Sequence, residues 1–135
     1  MSYWLLKSDP ETYGWADLVK AKKATWDGVT NAAALLHIRS VRKGDLAVVY
    51  HTGGEKAAVG VADIVSDAYT DPRNPKLAVF DLAPRMPLAV PVTLAELKAD
   101  PAFEDSPLVK IGRLSVVPLD AAQWKRLLRL GKTKL

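Results

Sequence analysis

The period of the apolar positions changes several times along the chain, and each change marks an element. Residues 3–7 (YWLLK) form a short aromatic and apolar run closed by Ser8-Asp9-Pro10, a pattern that predicts a strand and then a loop. Trp15, Leu18 and Val19 follow at i, i+3 and i+4, the spacing of one helical face, so a short helix is expected to reach about Lys22. Residues 22–30 are polar and irregular. Asn31 then caps a helix whose inward stripe is Leu35, Ile38 and either Leu36 or Val41, and Lys43-Gly44-Asp45 ends it. Residues 46–50 and 57–65 are continuous apolar runs joined by Thr52-Gly53-Gly54-Glu55-Lys56, which predicts two buried strands of a hairpin at the centre of a sheet. Residues 70–75 have loop chemistry. Residues 77–83 read as a third strand, which Pro84, Pro87 and Pro91 are expected to break. Thr93 with Glu96 and Asp120 with Gln123 are capping boxes for two further helices, separated by a short strand over residues 115–118. In the last helix Trp124, Leu127 and Leu128 share a face opposite Lys125, Arg126 and Arg129.

This order does not alternate strand with helix, so a doubly wound parallel sheet is excluded. It predicts an α+β domain whose curved, mostly antiparallel sheet is flanked by short helices. At 135 residues, without an internal repeat or linker, the whole chain reads as one domain. Apolar residues at 49% and charged residues at 25% sit near globular averages, which removes disorder, collagen and coiled coil. No apolar run is long enough for a membrane span, and residues 1–10 lack the features of a secretory leader, so a cytoplasmic protein is expected. The absence of cysteine rules out disulfides, thiolate metal sites and cysteine nucleophiles.

The net charge of +4 resembles a nucleic-acid signal until it is divided along the chain. Residues 1–120 carry 14 basic and 15 acidic side chains, whereas residues 121–135 carry five basic ones and no acid. The basicity is one C-terminal feature, either the solvated face of a helix near its negative dipole end or a strip that faces phosphate.

Candidate chemistry is sparse. Of the two histidines, His37 lies within a predicted helix and His51 ends a buried strand beside a glycine turn. His51 is thus a backbone-bonded strand end, a pocket-lining group or, least readily, a base. No metal motif and no phosphate-binding glycine loop occurs, so no cofactor is expected. Trp26 is different. Periodicity explains Trp4 and Trp124, but Trp26 sits in the irregular segment directly ahead of Asp27, Gly28 and Asn31. An indole beside carboxylate, amide and open backbone groups suits a planar heterocycle, stacked on its face and hydrogen-bonded along its edge. The plain alternative is a tryptophan that plugs the end of a small sheet.

Five segments, YWLLKSDP, TWDGVTN, KGDLAVVYHT, VTLAELKADP and GRLSVVP, resemble in order and spacing the signature segments of the EVE domain family. That family belongs to the PUA-like superfamily and is akin in fold to the YTH readers of methylated adenosine. The resemblance covers Tyr3 to about Leu128. It implies a PUA-like fold, a curved barrel-like sheet with helices at its sides, and non-catalytic recognition of a modified base in nucleic acid, with modified cytosine in DNA the leading candidate. Carried over by position, the family's motifs fall on Lys7, Ser8, Asp9 and Pro10, on Trp26, Asp27, Gly28 and Val29, on Val49, Tyr50 and His51, and on residues 113–118. Asp9, Val49 and Val117 replace a usual glutamate, aromatic and glutamine. After Val29 two usual arginines and a tyrosine become Thr30, Leu35 and Ala32, while Asn31 and Arg39 remain. A weaker grip on a strand is therefore expected, with a free modified nucleoside as an alternative partner.

On this reading Trp26 stacks on the base, Asn31 and Ser8 read its edge, Asp27 accepts from an exocyclic amine, and His51 and Arg113 line the rim. Lys7, Trp15, Gly28, Val29 and Ser115 complete the expected binding residues. The rival reading is a small hydrolase of a modified base or nucleoside, as credited to ASCH-type PUA-like domains. It needs a polar trio such as Lys7, Asp27 and His51 converging on one point.

Overall fold

The computed structural model describes residues 1–135, and its sheet is built around the N-terminal strand β1 (Tyr3–Ser8). Trp4, Leu5 and Leu6 are buried in succession, so both faces of β1 are covered. It runs parallel to β3 (Leu46–His51) and antiparallel to β7 (Val116–Leu119). The buried hairpin of β3 and β4 (Ala57–Ile64) forms as its apolar runs predict. The sheet continues to β6 (Asn74–Thr93) and ends at β2 (Ala24–Trp26), in the order β2-β6-β4-β3-β1-β7. A short strand β5 (Tyr69–Asp71) also pairs with β6. One parallel pair in an otherwise antiparallel sheet makes it mixed, and it curls into a half-barrel.

The helices are short. They are α1 (Pro10–Tyr13), α2 (Trp15–Ala21), α3 (Ala32–Arg39), α4 (Leu94–Ala99), α5 (Pro107–Lys110) and α6 (Ala121–Leu130). Both capping boxes are present, at Thr93/Glu96 and at Asp120/Gln123. In α3 the inward stripe is Leu35, Ile38 and then Val41, while Leu36 is 66% exposed. Val19, expected on the inner face of α2, is also exposed, and Leu18 is that helix's one fully buried residue, with Trp15 packed partly against the core.

Three expectations are corrected. Residues 22–30 are not irregular throughout, because residues 24–26 form β2 and Trp26 pairs with Phe80. Part of residues 70–75 is strand, with a tight turn at Pro72 and Arg73 joining β5 to β6. Nor do the prolines end the third strand. Pro84 and Pro87 lie opposite Ala62 and Gly60 at register shifts, where a missing donor is tolerated, and the strand bends without stopping. Around Pro91 the C-terminal tail supplies the missing partners. The Val90 amide donates to the Gly131 carbonyl at 3.1 Å, and the Ala89 amide donates to Thr133 Oγ1 at 2.9 Å.

A buried carboxylate ties the sheet to the turn before β3. Asp45 accepts from the Ser2 amide, the Trp4 indole and the Arg42 amide, at 2.9, 3.0 and 3.0 Å, so its burial leaves no oxygen unpaired. Tyr3 stacks on Trp124 with centroids 4.8 Å apart, which docks α6 against the start of β1. No helix is long and apolar enough to cross a membrane.

Candidate functional site

The end of β1 and the β2–α3 connection enclose a cleft of about 720 Å³, within the roughly 300–1,000 Å³ of small-molecule sites. One wall is made by β1 and α1. Asp9 caps α1 by accepting from the Glu11 amide at 2.9 Å, and Pro10 occupies the first helical position. Ser8 Oγ donates to the Tyr13 carbonyl, which folds the helical turn back over the strand. Lys7, Ser8, Thr12 and Tyr13 therefore reach the cleft together.

The opposite wall is Trp26 and the segment that follows it. Pairing with β6 fixes the backbone of Trp26, and its ring packs partly against the core while still lining the cleft. Gly28 turns the chain with φ 74°, a left-handed conformation that favours glycine. Asn31 then caps α3, with Oδ1 accepting from the Ala34 amide at 3.0 Å. The amides of Gly28, Val29 and Thr30 donate to no group of the protein, and neither does the Asn31 side-chain NH2. Ser115, ahead of β7, closes the third side, and its carbonyl accepts from the Lys7 amide at 2.9 Å.

The charges of the cleft are held by neighbours. Asp27 Oδ2 accepts from Arg73 Nη2 at 2.8 Å, and Lys7 Nζ donates to the Gly112 carbonyl at 3.0 Å. Burial pushes the Lys7 ammonium below its ordinary range. The Tyr13 phenol is pushed up, first by burial and then by the charge of Asp17, so it remains an O–H donor throughout the neutral range.

Of the residues singled out in the sequence, Lys7, Ser8, Trp26, Asp27, Gly28, Val29, Asn31 and Ser115 line this cleft. His51, Trp15 and Arg113 do not. His51 Nε2 accepts from the Trp15 amide at 2.9 Å and its Nδ1 meets Glu55 at 2.6 Å, so both ring nitrogens hold the fold. The Trp15 ring lies against Gly60, where a Cβ would come within 2.5 Å of it. Arg113 is exposed, makes no ion pair and stays outside the lining. With His51 committed elsewhere, Lys7, Asp27 and His51 do not converge as the hydrolase reading requires. No three His, Asp or Glu side chains gather in a metal-holding group.

Tyr13, Thr12, Asp9, Thr25 and Thr30 line the cleft without having been singled out as binding residues. The signal for Tyr13 is Asp9-Pro10, an N-cap followed by a proline at the first helical position. It marks a helical turn where a plain loop was expected, and that turn carries Tyr13 back to the strand end.

Residues 2–130 match the model of the EVE domain. The chain belongs to the EVE domain family. Thymocyte nuclear protein 1 of Danio rerio is 29% identical over an alignment covering 96% of this chain and 71% of that protein. The Homo sapiens protein of that name is 34% identical over 52% of this chain and 36% of its own length. Among solved structures, a Rhodopseudomonas palustris protein determined by NMR superimposes with TM-score 0.92 at 40% identity, covering 98% of this chain and 94% of that one. The human THYN1 protein in complex with 5-methylcytosine-containing DNA superimposes with TM-score 0.88 at 26% identity over the full length of both chains. An ASCH protein of Zymomonas mobilis, at TM-score 0.56 and 13% identity, shares the PUA-like fold alone. In this EVE domain the cleft combines the strand end, the WDGV segment and the cap of α3.

Proposed function

We propose that this EVE domain reads a modified base in DNA, with modified cytosine as its class, by taking the base into the Trp26 cleft without chemistry upon it. One observation carries the reading: a fixed, half-buried indole lines the same concavity as a row of backbone amides and a side-chain amide that have no acceptor of their own. An indole offers a stacking face to any base, and unpaired donors offer selectivity along the base edge, since a mismatched polar edge leaves groups unpaired at a cost of about 1–3 kcal/mol. The human relative's complex with 5-methylcytosine-containing DNA supports this choice of ligand.

The test is a titration with duplexes that differ only in one cytosine, methylated or plain, beside an RNA of the same sequence and the free modified nucleoside. Tighter binding of the methylated duplex, with no product released from it on prolonged incubation, is the expected result. Equal affinity for both duplexes would overturn the reading, and released base or altered nucleoside would move the site to the hydrolase class.

A further inference from the structure

Lys7 lines two cavities. Beyond the base cleft it also borders a second concavity of about 210 Å³, formed where the β3–β4 hairpin meets α4. Lys56 enters this cavity from the hairpin and Lys98 from α4, with Thr52 and Gly53 at its edge. No carboxylate lines it, whereas Asp9 and Asp27 line the base cleft, in which Lys7 is the one cation. Lys56 and Lys98 make no ion pair. Lys56 also holds a left-handed φ of 47°, a conformation that a glycine would adopt with less strain. Three lysines line one small concavity, and burial of Lys7 adds a desolvation cost that an anion would remove. The two cavities thus divide by charge: the one beside Trp26 favours a neutral ring, and the one beside Lys98 favours an anion. Sharing Lys7 as a wall places them one beside the other.

We infer that the Lys7–Lys56–Lys98 cavity holds a backbone phosphate of the strand whose base enters the Trp26 cleft, so that the unit recognised is a nucleotide within a strand. The inference rests on the base-reading proposal but uses residues that proposal does not need, because Lys56 and Lys98 line no part of the base cleft.

The test pairs Lys56→Gly, which suits the left-handed backbone, with Lys98→Ala in one variant whose folding is checked by circular dichroism. Its affinity for the methylated and plain duplexes is measured over a range of KCl concentrations. Affinity is expected to fall by about fivefold or more at low salt, and the slope of log K against log salt to become shallower by about 0.9, the loss of one phosphate contact. The preference for the methylated duplex stays as in the parent, and Lys56→Arg with Lys98→Arg restores the slope. An unchanged slope and affinity would overturn the inference. A parent protein that binds both duplexes equally, with the slope still altered in the variant, removes the base reading and leaves the phosphate site standing. Should neither duplex bind, backbone amide shifts on titration with inorganic phosphate decide: changes at Lys56 and Lys98 that vanish in the variant sustain the site, and their absence removes it.

Discussion

The Asn31 amide has two halves in different surroundings. Its oxygen caps α3 and its NH2 remains free at the cleft, so the two halves of the side chain can be tested apart. Asn31→Ala is expected to cost about 1 kcal/mol of stability through the lost cap and to flatten the ranking among bases. Asn31→Asp keeps the cap oxygen and removes the donors, so it should retain stability and lose the ranking alone. Urea denaturation and affinities for plain and modified bases separate these outcomes. An unchanged order in both variants would leave Asn31 as a cap only. Trp26 is likewise double. It was legible as an unexplained tryptophan beside polar groups, but its strand was not, because three residues pairing with one edge of β6 carry too short a pattern to announce a period. Since its ring packs partly on the core, Trp26→Ala should lose about 1–3 kcal/mol of base stacking and also some stability, less than the roughly 3–5 kcal/mol of a fully buried tryptophan. Trp26→Phe should keep most of both. Retained base binding in a folded Trp26→Ala protein would exclude the stacking role.

At the scale of elements, β1, β3, β4, α3 and both capping boxes were legible from period and caps alone. What stayed hidden is tertiary compensation. The run through Pro84, Pro87 and Pro91 reads as a broken ladder, yet β4 shifts register opposite the first two and residues 131 and 133 accept the stray donors near the third. No local pattern encodes a partner some forty positions away. His51 shows the same limit: its place at a strand end was legible, but its bond to the Trp15 amide depends on how α2 crosses the sheet. Because that bond satisfies a half-buried donor, His51→Ala should cost about 1–3 kcal/mol of stability and leave the base ranking intact. A changed ranking at full stability would return His51 to the binding rim. The docking of α6 has its own signature. Asp100 is held below the ordinary carboxylate range chiefly by its hydrogen bond from Arg126 Nε at 2.5 Å, so it contributes stability above about pH 4 that is lost as pH falls through its lowered value. Arg126→Ala should lower the melting temperature at neutral pH, with the difference from the parent narrowing on acidification. A constant difference across that range would show that the pair does not titrate with folding.

Across the whole molecule, the excess of positive charge and the cleft lie on different elements. The C-terminal residues that account for the net charge belong to α6 and the tail, where Arg126 is tied to Asp100 and Lys125 and Arg129 are exposed. None of them lines either of the cavities that share Lys7. The sequence alone left two readings of that strip open, because charge counted along a chain says nothing about which side of the fold it reaches. The fold favours the solvated helix face. Nor does the family's arginine-rich continuation after Val29 make up the deficit, since Thr30 lines the cleft and Leu35 is buried on the inner face of α3. On the proposed reading the strand's phosphates meet few cations beside the cleft, chiefly the Lys7–Lys56–Lys98 cavity with its one phosphate, and each phosphate contact steepens the salt dependence by about 0.9 on duplex DNA. The slope of log affinity against log salt is expected to lie at about −1 to −3. Lys125→Ala combined with Arg129→Ala should leave both slope and affinity as they are in the parent. A slope near about −6, or a marked loss of slope in that variant, would place the C-terminal helix on the strand and extend the footprint well beyond the cleft.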